Sequence, residues 1–220
     1  MRLQEQAERL SAQQFLGVPA KDFERGGREQ LSYLLAAGLN PASKLLDLGC
    51  GVLRAGYWLI HFLDAGCYHG IEPHVGRLEI GMHTMLEPEV LQSKRPRFDT
   101  NPRFDTGVFA EKFDYFLAYS IWTHASKRQI RVMLDGFLRD SQNDAVFLTT
   151  FYPAGWRHRD YRGDTWHGTS HESDVPGCIY HSYRWVRAEC HGRDLVVRRI
   201  GRDLTTGQVW LDISRRARHT

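Results

Sequence analysis

Three groups of residues in this 220-residue chain have types and spacings that could do chemistry. The first is Leu46-Asp47-Leu48-Gly49-Cys50-Gly51, an apolar run that ends in glycines. Such a run delivers a strand to the sheet edge where ligands of open α/β folds sit, and its glycines let the main chain turn sharply and approach a ligand closely. A helix expected next would aim its amides at the same place, which suits a carboxylate. Asp47 can face a cationic amino group. The second is Glu72, at the end of the next apolar stretch, where a carboxylate can accept two hydrogen bonds from sugar hydroxyls. The third is Ser120-Ile121-Trp122-Thr123-His124, whose histidine can take up a proton near neutral pH.

These groups need elements to position them. Residues 44–48 read as a strand buried on both faces, and residues 53–63 as the helix that follows the glycine turn. Residues 68–72 form a second strand, 77–85 a second helix, 97–100 a third strand and 113–120 a fourth. A helix over about 126–139 and a strand over 145–151 continue the alternation, which implies right-handed βαβ units and a parallel sheet. Upstream, residues 1–23 read as an amphipathic helix and a loop, with Leu3, Leu10 and Phe15 on one apolar side. Gly26-Gly27 is expected to break that region before a helix over 28–37, with Gly38 as its C-cap and Asn40-Pro41 preventing continuation. Downstream, a helix over 180–189 precedes strands over 195–199 and 208–213, joined by the turn signal Thr205-Thr206-Gly207.

Bulk properties bound the answer. The length suits one domain with a sizeable core, and 42% hydrophobic with 25% charged residues is ordinary for a globular protein. The formal net charge is only +3, but residues 151–220 carry 12 basic groups, all arginine, against 8 acidic ones. Alternation of sign makes a solvated face the expectation there, so nucleic acid is not an expected partner. The four cysteines (Cys50, Cys67, Cys178, Cys190) lack CxxC spacing, which argues against a disulfide framework or a zinc site. The polar start and the lack of a long apolar run point to a cytoplasmic chain with no membrane partner.

The Asp-x-Gly-x-Gly loop followed by Glu72 resembles the cofactor loop of class I S-adenosylmethionine-dependent methyltransferases, over about residues 26–213. The resemblance implies an α/β fold: a doubly wound, mostly parallel seven-stranded sheet with an antiparallel last strand, helices on both faces and an N-terminal helical extension. Residues 1–220 would be one domain, with residues 1–40 a helical cap. S-adenosyl-L-methionine would be the cofactor, held by Asp47, Gly49, Cys50 and Gly51 at the methionine end and by Glu72 at the ribose. Asn101 matches the position that reads the adenine amino group, Phe104 packs on the ring, and the main chain of Ala118 and Tyr119 meets the methionine amino group. The chain departs from the commonest Gly-x-Gly-x-Gly pattern at Leu53.

Methyl transfer from a sulfonium chiefly requires alignment, and a base helps when the acceptor is a hydroxyl. His124 is the candidate base, in a Ser-x-x-Thr-His stretch similar to one found in related methyltransferases. Residues 151–183 are long for a connection and are a candidate substrate or lid loop. Trp122, Tyr152, Trp156, His158, Trp166 and His167 are the candidate acceptor-binding residues, with His171 and His181 nearby. No metal is expected, because no carboxylate cluster accompanies His167 and His171. The leading expectation is O-methylation of a small-molecule acceptor. An RNA or protein methyltransferase using the arginine-rich end, a cofactor-binding subunit without catalysis, and a nicotinamide-dependent oxidoreductase are the alternatives. The acceptor's identity and the oligomeric state are not encoded legibly.

Overall fold

The computed structural model describes residues 3–17, 20–168 and 177–215. Its packing divides the chain into two compact units, Met1–Asn101 and Pro102–Thr220.

In the first unit, α1 (Leu3–Ser11) buries Leu3 and Ala7, which lie one turn apart. Their cluster includes Leu16, Phe23, Met85 and Val52 of the glycine loop, so the N-terminal helix packs on the segment expected to hold a ligand. Phe15 does not share this apolar side. It is 58% exposed and lies against the Arg77 guanidinium, 5.3 Å from ring centroid to carbon. Helix α2 (Phe23–Ala36) runs straight through Gly26-Gly27, contrary to the expected break. The reason is packing. A Cβ on Gly27 would lie 2.2 Å from the Arg54 carbonyl oxygen and 2.8 Å from the Trp58 ring, so these glycines admit a close neighbour. The C-cap is Ala37 rather than the expected Gly38, which follows it: Gly38 N–H donates to Leu35 O and Leu39 N–H to Leu34 O, the paired bonds of a glycine-terminated helix.

Strand β1 (Leu45–Leu48) is buried at every position. After it comes α3 (Gly56–Phe62), which starts three residues later than expected. Leu53 explains the delay: its φ of 60° is left-handed and cannot belong to an α-helix. Leu53 stands where the commonest loop pattern has glycine, and it keeps the backbone conformation that glycine favours. Strand β2 (Tyr68–Ile71) and α4 (Val75–Ile80) follow, and the expected helix over 77–85 changes to a π-helical turn at Gly81–Met85. Helix α5 (Pro88–Lys94) was not foreseen and buries no residue, which is why apolar periodicity does not reveal it. Strand β3 (Arg97–Asp99) completes the unit, with β1, β2 and β3 all parallel.

In the second unit, β4 (Phe113–Ala118) leads through the Ser120–His124 turn to α6 (Lys127–Asp140). Ser126 and Gln129 form a reciprocal capping box at its start. Strand β5 (Ser141–Phe151) pairs parallel with β4. Phe116, Phe137, Phe147 and Trp122 build the core here, with Phe116 and Phe137 edge to face at 5.1 Å. Helix α7 (Tyr183–His191) then precedes β6 (Val196–Arg202) and β7 (Val209–Ser214), an antiparallel hairpin turning at the expected Thr205-Thr206-Gly207. β7 pairs antiparallel with β5. The strands form a seven-stranded sheet in the order β3-β2-β1-β4-β5-β7-β6, the mixed α/β architecture expected. No described helix is long and apolar enough to cross a membrane.

Candidate active site

In the first unit the glycine loop is tied to the end of β2. Gly49 and Cys50 N–H groups both donate to the Ile71 carbonyl, at 2.7 and 3.2 Å. Gly51 N–H donates to Glu72 Oε2 at 2.9 Å, and His74 N–H donates to Glu72 Oε1 at 2.9 Å. Each carboxylate oxygen therefore already accepts one backbone bond, which fixes its orientation and leaves lone pairs for two more donors. Burial raises the Glu72 pKa, opposed by these two amides and by Arg77 nearby. Gly51 has a φ of 57°, and a Cβ built there meets nothing within 4 Å, so the loop borders open space.

Asp47 is 3% exposed, and its Oδ2 accepts a 2.8 Å bond from the Tyr68 hydroxyl. Burial is the main cause that pushes its carboxyl up to about 7, with Tyr68 opposing and the Glu72 charge adding. Burial, with the Asp47 and Glu72 charges adding, holds the Cys50 thiol well above its ordinary range. Tyr68 was not foreseen as Asp47's partner, because strand tyrosines read as core. Asn101 is held by Asp99, which accepts from both its backbone N–H (2.8 Å) and its side-chain amide (2.6 Å). The spacing Asp-x-Asn is an Asx-turn signal that could have indicated this pair.

In the second unit, His124 is gathered with Trp166 and His167. His124 Nδ1 lies 2.7 Å from the His167 carbonyl oxygen, and His167 N–H donates back to the His124 carbonyl at 2.8 Å. Trp166 stacks on the imidazole with centroids 5.5 Å apart and planes at 17°. Phe104 is 1% exposed and stacks with Trp166 at 5.9 Å and 20°. Cys178, which the sequence did not single out for chemistry, places its sulfur 4.0 Å from His124 Nε2.

The remaining aromatic candidates scatter. Trp122 lies in the core. It is fully buried, edge-on to Phe147 at 5.9 Å and 90°, because the apolar core takes the whole ring. Trp156 is 88% exposed, on a turn closed by the bond from Gly155 N–H to His158 O. Tyr152 donates to the Thr206 carbonyl at 2.9 Å, and His158 stacks on Tyr180 at 4.1 Å. His181 is buried and its Nε2 lies 3.0 Å from the Ala125 carbonyl, with burial lowering its pKa. His171 lies outside the described residues.

A polar network underlies the end of β4. The Ala118 carbonyl accepts from Thr149 Oγ1 at 2.9 Å, and Tyr119 donates to buried Asp203 at 2.9 Å. Ser120, with a φ of 59°, is held by its N–H to Thr150 Oγ1 and by Gln208 Nε2 to its own Oγ. Thr149 and Thr150 come from β5, and Asp203 and Gln208 from the distant β6–β7 hairpin, which no local sequence signal could pair with residue 119 or 120.

Neither a protein-family profile nor a curated protein sequence matches the chain. Solved structures do. The magnesium protoporphyrin IX methyltransferase of Synechocystis PCC 6803 with bound S-adenosylmethionine superposes with a TM-score of 0.63 at 16% identity, over 90% of this chain and 81% of that one. The glycopeptide N-methyltransferase MtfA complexed with the same molecule gives 0.60 at 15% identity, over 86% and 93%. The methyltransferase domain of a bacterial Hen1 gives 0.59 at 14% identity, over 88% and 97%. The chain has the class I methyltransferase fold.

Proposed function

We propose that the chain binds S-adenosylmethionine and transfers its methyl group to a hydroxyl of a small molecule, with His124 as the base. The observation that carries this reading is the pair of Glu72 and Gly51: a carboxylate at the end of β2, oriented by 2.9 Å backbone bonds, beside a glycine loop that borders open space. An oriented carboxylate with remaining lone pairs suits a ribose diol. Solved structures of the same fold, bound to S-adenosylmethionine or S-adenosylhomocysteine, support the choice over a nicotinamide cofactor. Asp47, Gly49, Cys50 and Gly51 would hold the methionine end, Glu72 the ribose and Asn101 the adenine.

Bound there, the sulfonium supplies an activated methyl group with a neutral thioether as leaving group. The chain's own contribution is alignment and proton removal. Trp166 and His167 fix the His124 ring, and His124 takes the acceptor's proton as its oxygen attacks. Acceptor identity differs even between the neighbours, one named for a metalloporphyrin and one for a glycopeptide.

The test is turnover with methyl-labelled S-adenosylmethionine and a panel of small phenols and alcohols. Transfer of label to oxygen is expected, with His124→Asn lowering kcat by about 10²–10⁴-fold and leaving cofactor affinity unchanged. Label on nitrogen or carbon only, or full activity in His124→Asn, would overturn the assignment of the base.

A further inference from the structure

His124 has two ring nitrogens, and which one carries the proton decides which can act as a base. At Nδ1 the neighbour is the His167 carbonyl oxygen, 2.7 Å away. A carbonyl can only accept, so Nδ1 must donate. Near Nε2 lies the Cys178 thiol, with its sulfur 4.0 Å away. A thiol is a weak donor, and it fits a nitrogen lone pair. The carbonyl therefore selects the tautomer with the proton on Nδ1 and the lone pair on Nε2, and the thiol is compatible with it.

The segment that imposes this is closely fitted. The reciprocal bond from His167 N–H to the His124 carbonyl, 2.8 Å, locks the two backbones together. Trp166 covers the imidazole face and packs in turn on Phe104. Gly168 has a φ of 105°, and a Cβ there would lie 2.3 Å from His124 Nδ1 and 2.6 Å from the Gly177 carbonyl oxygen. Ile179 N–H donates to the Thr123 carbonyl at 2.8 Å, so residues next to Cys178 are anchored to the same turn.

We propose that Trp166-His167-Gly168 is a positioning clamp that holds His124 in the Nδ1–H tautomer, so that Nε2 is the basic atom, and that an acceptor hydroxyl takes the place of the Cys178 thiol at Nε2. Proton balance is simple. The hydroxyl proton moves to Nε2 as the oxygen–methyl bond forms and the methyl–sulfur bond breaks, leaving an imidazolium that releases the proton to solvent. This rests on the reading of His124 as the base, but the tautomer is measurable without any turnover.

The experiment is two-dimensional NMR of the full chain labelled with ¹⁵N-histidine, with His124 identified by the resonance lost in His124→Gln. A protonated Nδ1 and unprotonated Nε2 are expected at a pH where the ring is neutral. An Nε2–H tautomer would overturn the clamp. Trp166→Ala should shift His124 toward Nε2–H and lower kcat at least tenfold with unchanged cofactor affinity, and Trp166→Phe should restore both. An unmoved tautomer in folded Trp166→Ala would overturn the role of Trp166, and Gly168→Ala checks the clamp independently through the same resonance. If the Nδ1–H tautomer is found while His124→Gln keeps full turnover, the base reading fails and the clamp stands as structure.

Discussion

Glu72 is a side chain whose two oxygens each accept a backbone amide, from Gly51 and from His74. Glutamine is nearly the same shape but has one acceptor and one NH₂ group. In Glu72→Gln one of the two amides must face a donor. S-adenosylmethionine affinity should fall about 10–100-fold, equivalent to about 1–3 kcal/mol, through lost charge-assisted bonds. Isothermal calorimetry on the folded variant checks this, and unchanged affinity would remove Glu72 from the site. Asp47 gives a pH signature. Its carboxyl is pushed up to about 7, chiefly by burial, from an ordinary value of 3.8. The folded state thus binds this proton more tightly than the unfolded state. Its stabilising contribution is complete below about pH 4 and is lost as pH rises to about 7, with a slope of at most ~1.4 kcal/mol per pH unit. Asp47→Asn should therefore gain stability relative to the parent between pH 5 and 8 in urea titrations. A constant difference across that range would show that the proton is not held more tightly in the fold.

At the scale of elements, the two adjacent glycines of α2 should behave differently. Alanine favours a helix over glycine by about 1 kcal/mol. At Gly26 a Cβ would meet the Arg54 Nη1 at 3.0 Å, the far end of a flexible side chain that can move. At Gly27 it would meet the Arg54 carbonyl oxygen at 2.2 Å, which is backbone. Gly27→Ala should cost about 1–3 kcal/mol or more, and Gly26→Ala much less. Urea midpoints would measure both, and equal effects would contradict the close packing of α2 on α3. These glycines also show the limit of reading elements from sequence. A glycine pair signals a break when only propensity is considered, whereas here it marks contact with a neighbour that is far along the chain. Leu53 is the converse case: the pattern is broken in residue type and kept in backbone angle. The β1 turn and Glu72 were legible because strand, glycine and acid follow at short range. The partners Tyr68, Asp203 and Cys178 were not, because their roles arise from pairing at a distance. Trp122 lies in the core and Trp156 in solvent, and a tryptophan's type does not say whether core, pocket or solvent receives it.

Over the whole molecule, the alternation of strands and helices and the terminal hairpin were enough to anticipate a mostly parallel sheet with an antiparallel end. Apolar runs carry that information redundantly, so misplacing several helix ends did not alter it. A fold, however, hosts many chemistries, and the identities to solved structures of 17% and below leave the cofactor to be argued from Glu72 and the glycine loop. A ligand that binds only the native state must stabilise it, by ~2.7 kcal/mol at a concentration one hundred times its Kd. For a chain of this size that corresponds to a rise in Tm of roughly 5–11 °C. The decisive measurement is thermal unfolding of the full chain with saturating S-adenosylmethionine and, separately, with NAD. The account predicts a rise of several degrees with S-adenosylmethionine and none with NAD; a rise with NAD alone would contradict it.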